Sequence, residues 1–265
     1  MKRIGCGVSS GRRLAATVLL AGTAFVGSTA DASAQRRPLP DEQSRMHAGG
    51  ALMLAQPLGA FDRYVGLGGG IDGFFRVGLD EAGIVSIRLQ GGFVNYGNET
   101  RQVCLSQTVG CRIVVDLTTS NNILFFGVGP EIGGPAGPVR LYANGTAGFS
   151  YFSTDSNVSG DQDFAPFATT RNFGDGGFAL TGGGGIQIHL ARTDGATIGL
   201  DLGASYQRNG FREYLTEGGI IDLPDGSIRL DVRRSRADLL LWRLGVTVGF
   251  GVGRETRSPR GWGAR

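Results

Sequence analysis

The chain has 265 residues, of which 41% are hydrophobic, 18% charged and 47 are glycine. Glycine far above the usual ~7% without a G-X-Y period excludes collagen, and plentiful Leu, Ile, Val and Phe exclude wholesale disorder. Because each glycine in a helix interior costs about 1 kcal/mol, a helical protein is excluded as well, and the formal charge of +3 belongs to the first segment rather than to a nucleic-acid-binding surface.

That segment carries Lys2, Arg3, Arg12 and Arg13, then an apolar run from Leu14 to Val26, then Ala32-Ser33-Ala34. It predicts a secretory signal over 1–34, too short in its apolar run for a transmembrane anchor. Arg12-Arg13 also permits a twin-arginine export signal, which the flanking residues fit poorly. Cleavage removes four basic residues and Asp31 from totals of 26 and 23, leaving a neutral chain with 22 of each. Residues 35–45, with Pro38 and Pro40, read as a short periplasmic leader.

From residue 46 the sequence alternates with the two-residue period of a strand. Weak strands are predicted over 46–56, 65–78, 84–95, 121–131 and 177–190, and clear ones over 139–151, 196–206 and 240–250. In the last, Leu240, Trp242, Leu244, Val246, Val248 and Phe250 share one face, opposite Arg243, Gly245, Thr247 and Gly249. Most of the eight exceed the 9 to 11 residues that a tilted strand needs to cross a bilayer.

Short turns rich in Gly, Pro and Asp (80–83, 133–137, 192–195) alternate with a shorter link (57–64) and three long polar loops (96–120, 152–176, 207–236). This is the rhythm of an up-and-down transmembrane barrel. The aromatics fit it: Phe93, Phe149, Tyr151, Phe178, Tyr206 and Trp242 fall at the outer strand ends, and Phe75 and Phe250 near the inner ones. A secreted β-sandwich is the competing fold, but it would put many charges on its polar face, where this chain has mostly Gly, Ser, Thr, Gln and Asn.

With Cys6 lost in the signal, Cys104 and Cys111 remain, and an even pair in an exported chain predicts a disulfide. Only His47 and His189 could supplement them as metal ligands, so no metal site is expected. Asp155–Asp163 reproduces much of a calcium loop, yet Pro166 stands where the bidentate Glu belongs. The last loop carries Arg229, Arg233, Arg234 and Arg236 among Asp222, Asp225, Asp231 and Asp238. It reads either as an internally neutralised loop or as a set of guanidinium groups at the height of lipopolysaccharide phosphates.

On these features the chain resembles the eight-stranded outer-membrane barrel family, the OmpA and OmpX type. The resemblance covers 46 to about 252. Its most specific motif is Arg243-Leu244-Gly245-Val246-Thr247-Val248-Gly249-Phe250, similar to the family's assembly signal, with Gly245, Val248 and Phe250 in the characteristic places. It implies recognition by the outer-membrane insertion machinery. In the family the aromatic usually ends the chain, whereas here a tail follows over 253–265, too short for a peptidoglycan-binding domain.

The inward positions carry Asp72, Arg76, Arg88, Glu131, Arg140, Asp201 and Arg243, and charges facing a lumen with little water must be paired. Eight strands leave an interior just wide enough for side chains to fill. The reading is therefore an all-β, eight-stranded antiparallel up-and-down transmembrane barrel of the cell outer membrane, monomeric, with a structural or surface-interaction role and a largely plugged lumen. Its partners would be outer-membrane lipid, including lipopolysaccharide. A narrow small-solute channel and a lipid A-modifying enzyme are the alternatives. No catalytic residue, cofactor or nucleic-acid partner is expected, since neither histidine has a serine nucleophile beside it.

Overall fold

In the computed structural model, residues 45–80, 82–104, 114–134, 137–160, 165–192, 196–223, 225 and 227–250 are described. The alternating segments form β1 (Met46–Pro57), β2 (Gly68–Gly78), β3 (Val85–Cys104), β4 (Val114–Gly133), β5 (Val139–Gly160), β6 (Ala168–Arg192) and β7 (Ala196–Arg208). Four short strands follow, β8 (Phe211–Tyr214), β9 (Ile220–Asp222), β10 (Ile228–Leu230) and β11 (Arg233–Arg236), and β12 (Leu239–Phe250) ends the described chain. The eight long strands close into one barrel in the order β1-β12-β7-β6-β5-β4-β3-β2. Every neighbour is antiparallel, and β12 closes the ring on β1 from Met46↔Phe250 to Pro57↔Leu239. Closure, with one sheet where a sandwich needs two, sets aside the secreted sandwich.

Burial is inverted relative to a water-soluble protein. Leu52, Leu124, Phe126, Leu141, Phe149, Phe178, Trp242 and Leu244 are exposed, while Asp72, Arg76, Arg88, Glu131, Arg140, Asp201 and Arg243 are buried. With side chains alternating across the wall, the oily face points outward and the polar face into the lumen, as a lipid-facing barrel requires. Among the described residues no helix is long and apolar enough to cross a membrane; a crossing is made by strands.

At the short turn after β2, Asp80 fixes the β2–β3 reversal by accepting the amide hydrogens of Ile84 and Val85 at 3.1 and 2.8 Å. Those amides hold the Asp80 carboxyl below its ordinary pKa, the Val85 bond contributing most. At the other end the strands run well beyond the bilayer. Residues 96–104, 114–120, 152–160 and 168–176, expected as loop, continue β3, β4, β5 and β6. A hydrogen-bonded ladder needs no apolar alternation once both faces meet water, and these arms are joined by hydroxyl and amide pairs instead. Thr100 and Thr118 pair at 3.0 Å, Thr119 and Ser156 at 3.0 Å, and Ser120 donates to Asn98 at 3.0 Å. Bulges at Asn95/Gly97 and Thr154/Asp155 also break the two-residue phase where the membrane part ends. Asp155–Gly160 lies within this ladder, which precludes a calcium-loop turn there.

Two further differences concern the mouth. β2 begins at Gly68 rather than 65, because Phe61–Arg63 forms a 3-10 turn that buries Phe61 completely. The segment 207–236 is not an unstructured loop. Gly210, at φ +71°, supplies the left-handed bend that only glycine adopts readily, and beyond it β8 pairs with β11 and β9 with β10.

Candidate functional site in the lumen

All seven inward charges meet in one buried network near the turn end of the barrel. Glu131, fully buried on β4, accepts from three arginines on three other strands: Arg76 Nη1 at 2.8 Å, Arg140 Nη1 at 2.8 Å and Arg88 Nη1 at 2.9 Å. From Arg88 the hydrogen bonds run around the wall. Arg88 Nε donates to Gln90 at 3.2 Å, Gln90 to Asp72 at 3.0 Å, and Arg243 to Asp72 at 3.3 Å. Arg243 Nη2 lies 3.5 Å from the Tyr142 hydroxyl, which donates to Asp201 at 2.7 Å. Gln187 donates to Asp201 at 3.1 Å and accepts from Arg140 at 3.3 Å, and Arg140 returns to Glu131. The chain of contacts is a closed circuit.

Why the charges sit together follows from parity and size. Each lies on the lumenal phase of its strand, and the register sets Arg76 opposite Arg88 and Asp72 opposite Gly92. Glycines on the same phase leave space for long side chains. A Cβ on Gly203 would come within 3.0 Å of both Arg243 Nη2 and the Tyr142 hydroxyl, and one on Gly185 within 2.7 Å of that hydroxyl. Arg88 also lies over the Phe74 ring, 3.8 Å from its centroid, which shields a guanidinium that water cannot reach.

Gln90, Tyr142 and Gln187 complete the circuit and were not singled out from the sequence. The signal was available, since Gln90 stands two residues after Arg88 and Tyr142 two after Arg140, on the same inward phase. The second omission is larger. Towards the mouth the inward phase turns apolar, and Met53, Val94, Tyr96, Ile123, Phe125, Phe152, Leu239 and Leu241 form a core completed by Phe61, Tyr214 and neighbouring residues. Phe61 stands edge-on to Tyr214 at 4.8 Å, to Tyr96 at 5.7 Å and to Phe152 at 6.1 Å, and the Tyr96 hydroxyl donates to the carbonyl of Leu215 at 3.3 Å. Opposite Phe125, Leu241 and Leu239 of this core, the hydroxyls of Ser150 and Ser205 and Oε1 of Gln207 are buried without a hydrogen-bond partner among the described residues.

His189 lies on β6 opposite Gly199 and contacts the Gly137 carbonyl through Nδ1. Ser205 is six residues along β7 from Gly199, roughly 20 Å at strand rise, so the two cannot act as base and nucleophile. His47 lies at the inner end of β1, opposite Arg76 and Gly249. Among the described residues no three His, Cys, Asp or Glu side chains group as metal ligands. Gly245, Val248 and Phe250 lie on β12, with Val248 and Phe250 turned outward and Gly245 inward. Cys104 ends β3, whereas Cys111, the signal and leader up to residue 44, and residues 251–265 lie outside the described residues.

No protein-family model matches the chain, and no curated protein matches it. Among solved structures it is similar to the attachment invasion locus protein Ail of Yersinia pestis, at 14% identity over 77% of this chain and 97% of that one, with a TM-score of 0.36. It is also similar to Neisserial surface protein A, at 14% identity over 78% and 98% with a TM-score of 0.40. A third likeness is to a major outer membrane protein of Thermus thermophilus, at 14% over 76% and 98% with a TM-score of 0.37. Likenesses this distant transfer no role.

Proposed function

We propose that the mature chain is a monomeric integral outer-membrane barrel whose lumen is largely plugged and whose role is structural or surface-interacting rather than enzymatic. The observation that carries this reading is the inversion of burial, with a continuous oily exterior around an interior ion-pair circuit. An eight-stranded wall holds a side-chain-filled interior, and here both a charged layer and an aromatic layer fill it. Export would use the signal over 1–34, insertion would use the β12 motif, and the lipid partner would include lipopolysaccharide. Cys104 and Cys111 would bridge the tip between β3 and β4.

Electrophoresis with and without boiling, combined with membrane fractionation, tests the reading. Faster migration of the unboiled protein from the outer-membrane fraction is expected, because a closed barrel resists detergent unfolding. A single unshifted band in the soluble periplasmic fraction overturns it.

One observation favours a second reading, a narrow solute channel: the hydroxyls of Ser150 and Ser205, opposite Phe125 and Leu241, are buried without a partner among the described residues, and such polar sites in a lumen suit water. Planar bilayer recordings separate the two. A plugged barrel is silent, and steady conductance that changes on replacing Arg88 or Arg140 would establish the channel.

A further inference from the structure

On the outer face, where β7 and β12 leave the oily belt, the aromatics Phe178, Tyr206, Phe211 and Trp242 are exposed. Tyr and Trp in such a belt settle at the height of the lipid headgroups. Immediately above Tyr206 the same outward phase carries Arg208, and the β8–β11 hairpin adds Arg234 and Arg236, all exposed. Both Arg208 and Arg236 act electrostatically on the Tyr206 hydroxyl, which fixes their proximity to the belt.

The carboxylates nearby are occupied differently from those in the lumen. Asp238 accepts from the Tyr206 hydroxyl at 2.8 Å, the Asn209 amide at 3.2 Å and Arg236 Nη2 at 3.2 Å, so it positions Arg236 and is saturated with donors. Asp175 accepts the Glu213 amide at 2.8 Å, and Glu213 itself stands opposite Arg234 without an ion pair to it. Arg212 spends its guanidinium on the carbonyls of Phe178 and Phe211. Among the described residues Arg208 and Arg234 form neither a hydrogen bond nor an ion pair. On β3 and β4 the corresponding outward positions above Phe93 and Leu124 are neutral (Asn95, Asn98, Thr100, Ser120 and Asn122), and on β6 the exposed Arg171, 5.4 Å from the Tyr151 ring centroid, is engaged by Asp155 at 2.9 Å.

We propose that Arg208, Arg234 and Arg236 form a phosphate-binding sector of the rim, occupied by the phosphorylated headgroup of an outer-leaflet glycolipid whose acyl chains lie along the belt below. The argument rests on the membrane reading above. Planar guanidinium groups take phosphate oxygens in pairs, and their placement one step above exposed aromatics is where such a headgroup lies. Because Arg208 and Arg234 are unpaired among the described residues while Arg171 on β6 is held by Asp155, a fixed lipid is expected at this sector rather than a uniform annulus.

The test uses the full mature chain in dodecyl maltoside micelles, titrated with bis-phosphorylated lipid A and, separately, with enzymatically dephosphorylated lipid A. Wild-type protein is expected to prefer the phosphorylated lipid. The triple variant Arg208→Gln, Arg234→Gln, Arg236→Gln is expected to bind it about tenfold more weakly or worse, the loss of roughly one charge-assisted pair. Arg229→Gln on β10 removes the same charge outside the sector and is expected to bind as wild type. Equal binding by the wild type and the triple variant overturns the proposal, as does equal binding of both lipids by the wild type. Inorganic phosphate that displaces the lipid at equal concentration overturns the lipid source in favour of a soluble anion. Arg234→Gln alone, on the hairpin beyond the barrel, gives the same readout should the triple variant not fold. A wild-type protein that is soluble and unshifted on heating sinks the membrane reading itself, and is distinguishable from a folded barrel that ignores phosphate.

Discussion

Glu131 is the residue on which the lumen depends, because its one carboxylate is the shared acceptor of three buried guanidinium groups. Removing one partner of a buried pair typically costs about 3–5 kcal/mol by leaving a charge uncompensated. Glu131→Gln is expected to lower barrel stability by at least about 3 kcal/mol, read as an earlier loss of the fast-migrating band in urea. Gly203 matters for the opposite reason. Any side chain there meets Arg243 and Tyr142, so Gly203→Leu is expected to break the circuit by overpacking, at about 1–3 kcal/mol, in the same assay.

Above the belt, Glu99 ties the β3 arm to the β8–β9 turn, accepting from Arg101 Nε at 2.6 Å and from the Gly218 amide at 2.9 Å. The Arg101 bond first, then the Gly218 amide, hold its carboxyl below the ordinary value. A depressed carboxylate contributes fully above its unfolded pKa and loses that contribution as pH falls through its folded pKa. The protection of the Gly218 amide, its exchange relative to the intrinsic rate at each pH, is therefore expected to hold from neutral pH down and to fall only in strong acid. In Glu99→Gln that acid-dependent step should vanish.

At the scale of elements, the four tall strands show where sequence legibility ends. Inside the bilayer the wall separates oil from polar lumen, and that contrast writes a two-residue period into β5, β7 and β12. Above it both faces of β3 and β4 meet water, the period fades after Asn95, and the bulge there shifts what remains. The seven lumenal charges were legible for the same reason as the strands, since charge on the inward phase stands out. The aromatic layer was not: Leu239-Leu240-Leu241 is apolar on both phases, and Phe61 reaches the lumen from a link rather than a strand. Cysteine pairing is legible only as an even count. Mature protein is expected to resist thiol alkylation until reduced, then to take two labels, at Cys104 and Cys111. Labelling without reductant would rule out the bridge.

For the whole molecule, the two layers divide the work of closure. Under the proposed plugged lumen, the circuit of ion pairs would seal the turn end and the Phe61 cluster the mouth. Phe61→Ala is expected to cost about 3–5 kcal/mol and, in bilayer recordings, to leave the protein silent so long as the lower circuit holds. Conductance from this variant alone would place the entire barrier in the aromatic layer.

The ring is fastened by its two extremes, Met46 against Phe250 and Pro57 against Leu239. Nearly the whole described chain therefore lies between the partners of one seam. Contacts this distant in sequence form slowly, since the intervening loop entropy is lost before they reward it. No portion of the barrel can shed its open edges until β12 has arrived, and a nascent chain stopped short of Leu239 exposes two unpaired strands to any neighbour. Waiting for that last partner, rather than stability once closed, is then the hazardous part of this protein's life.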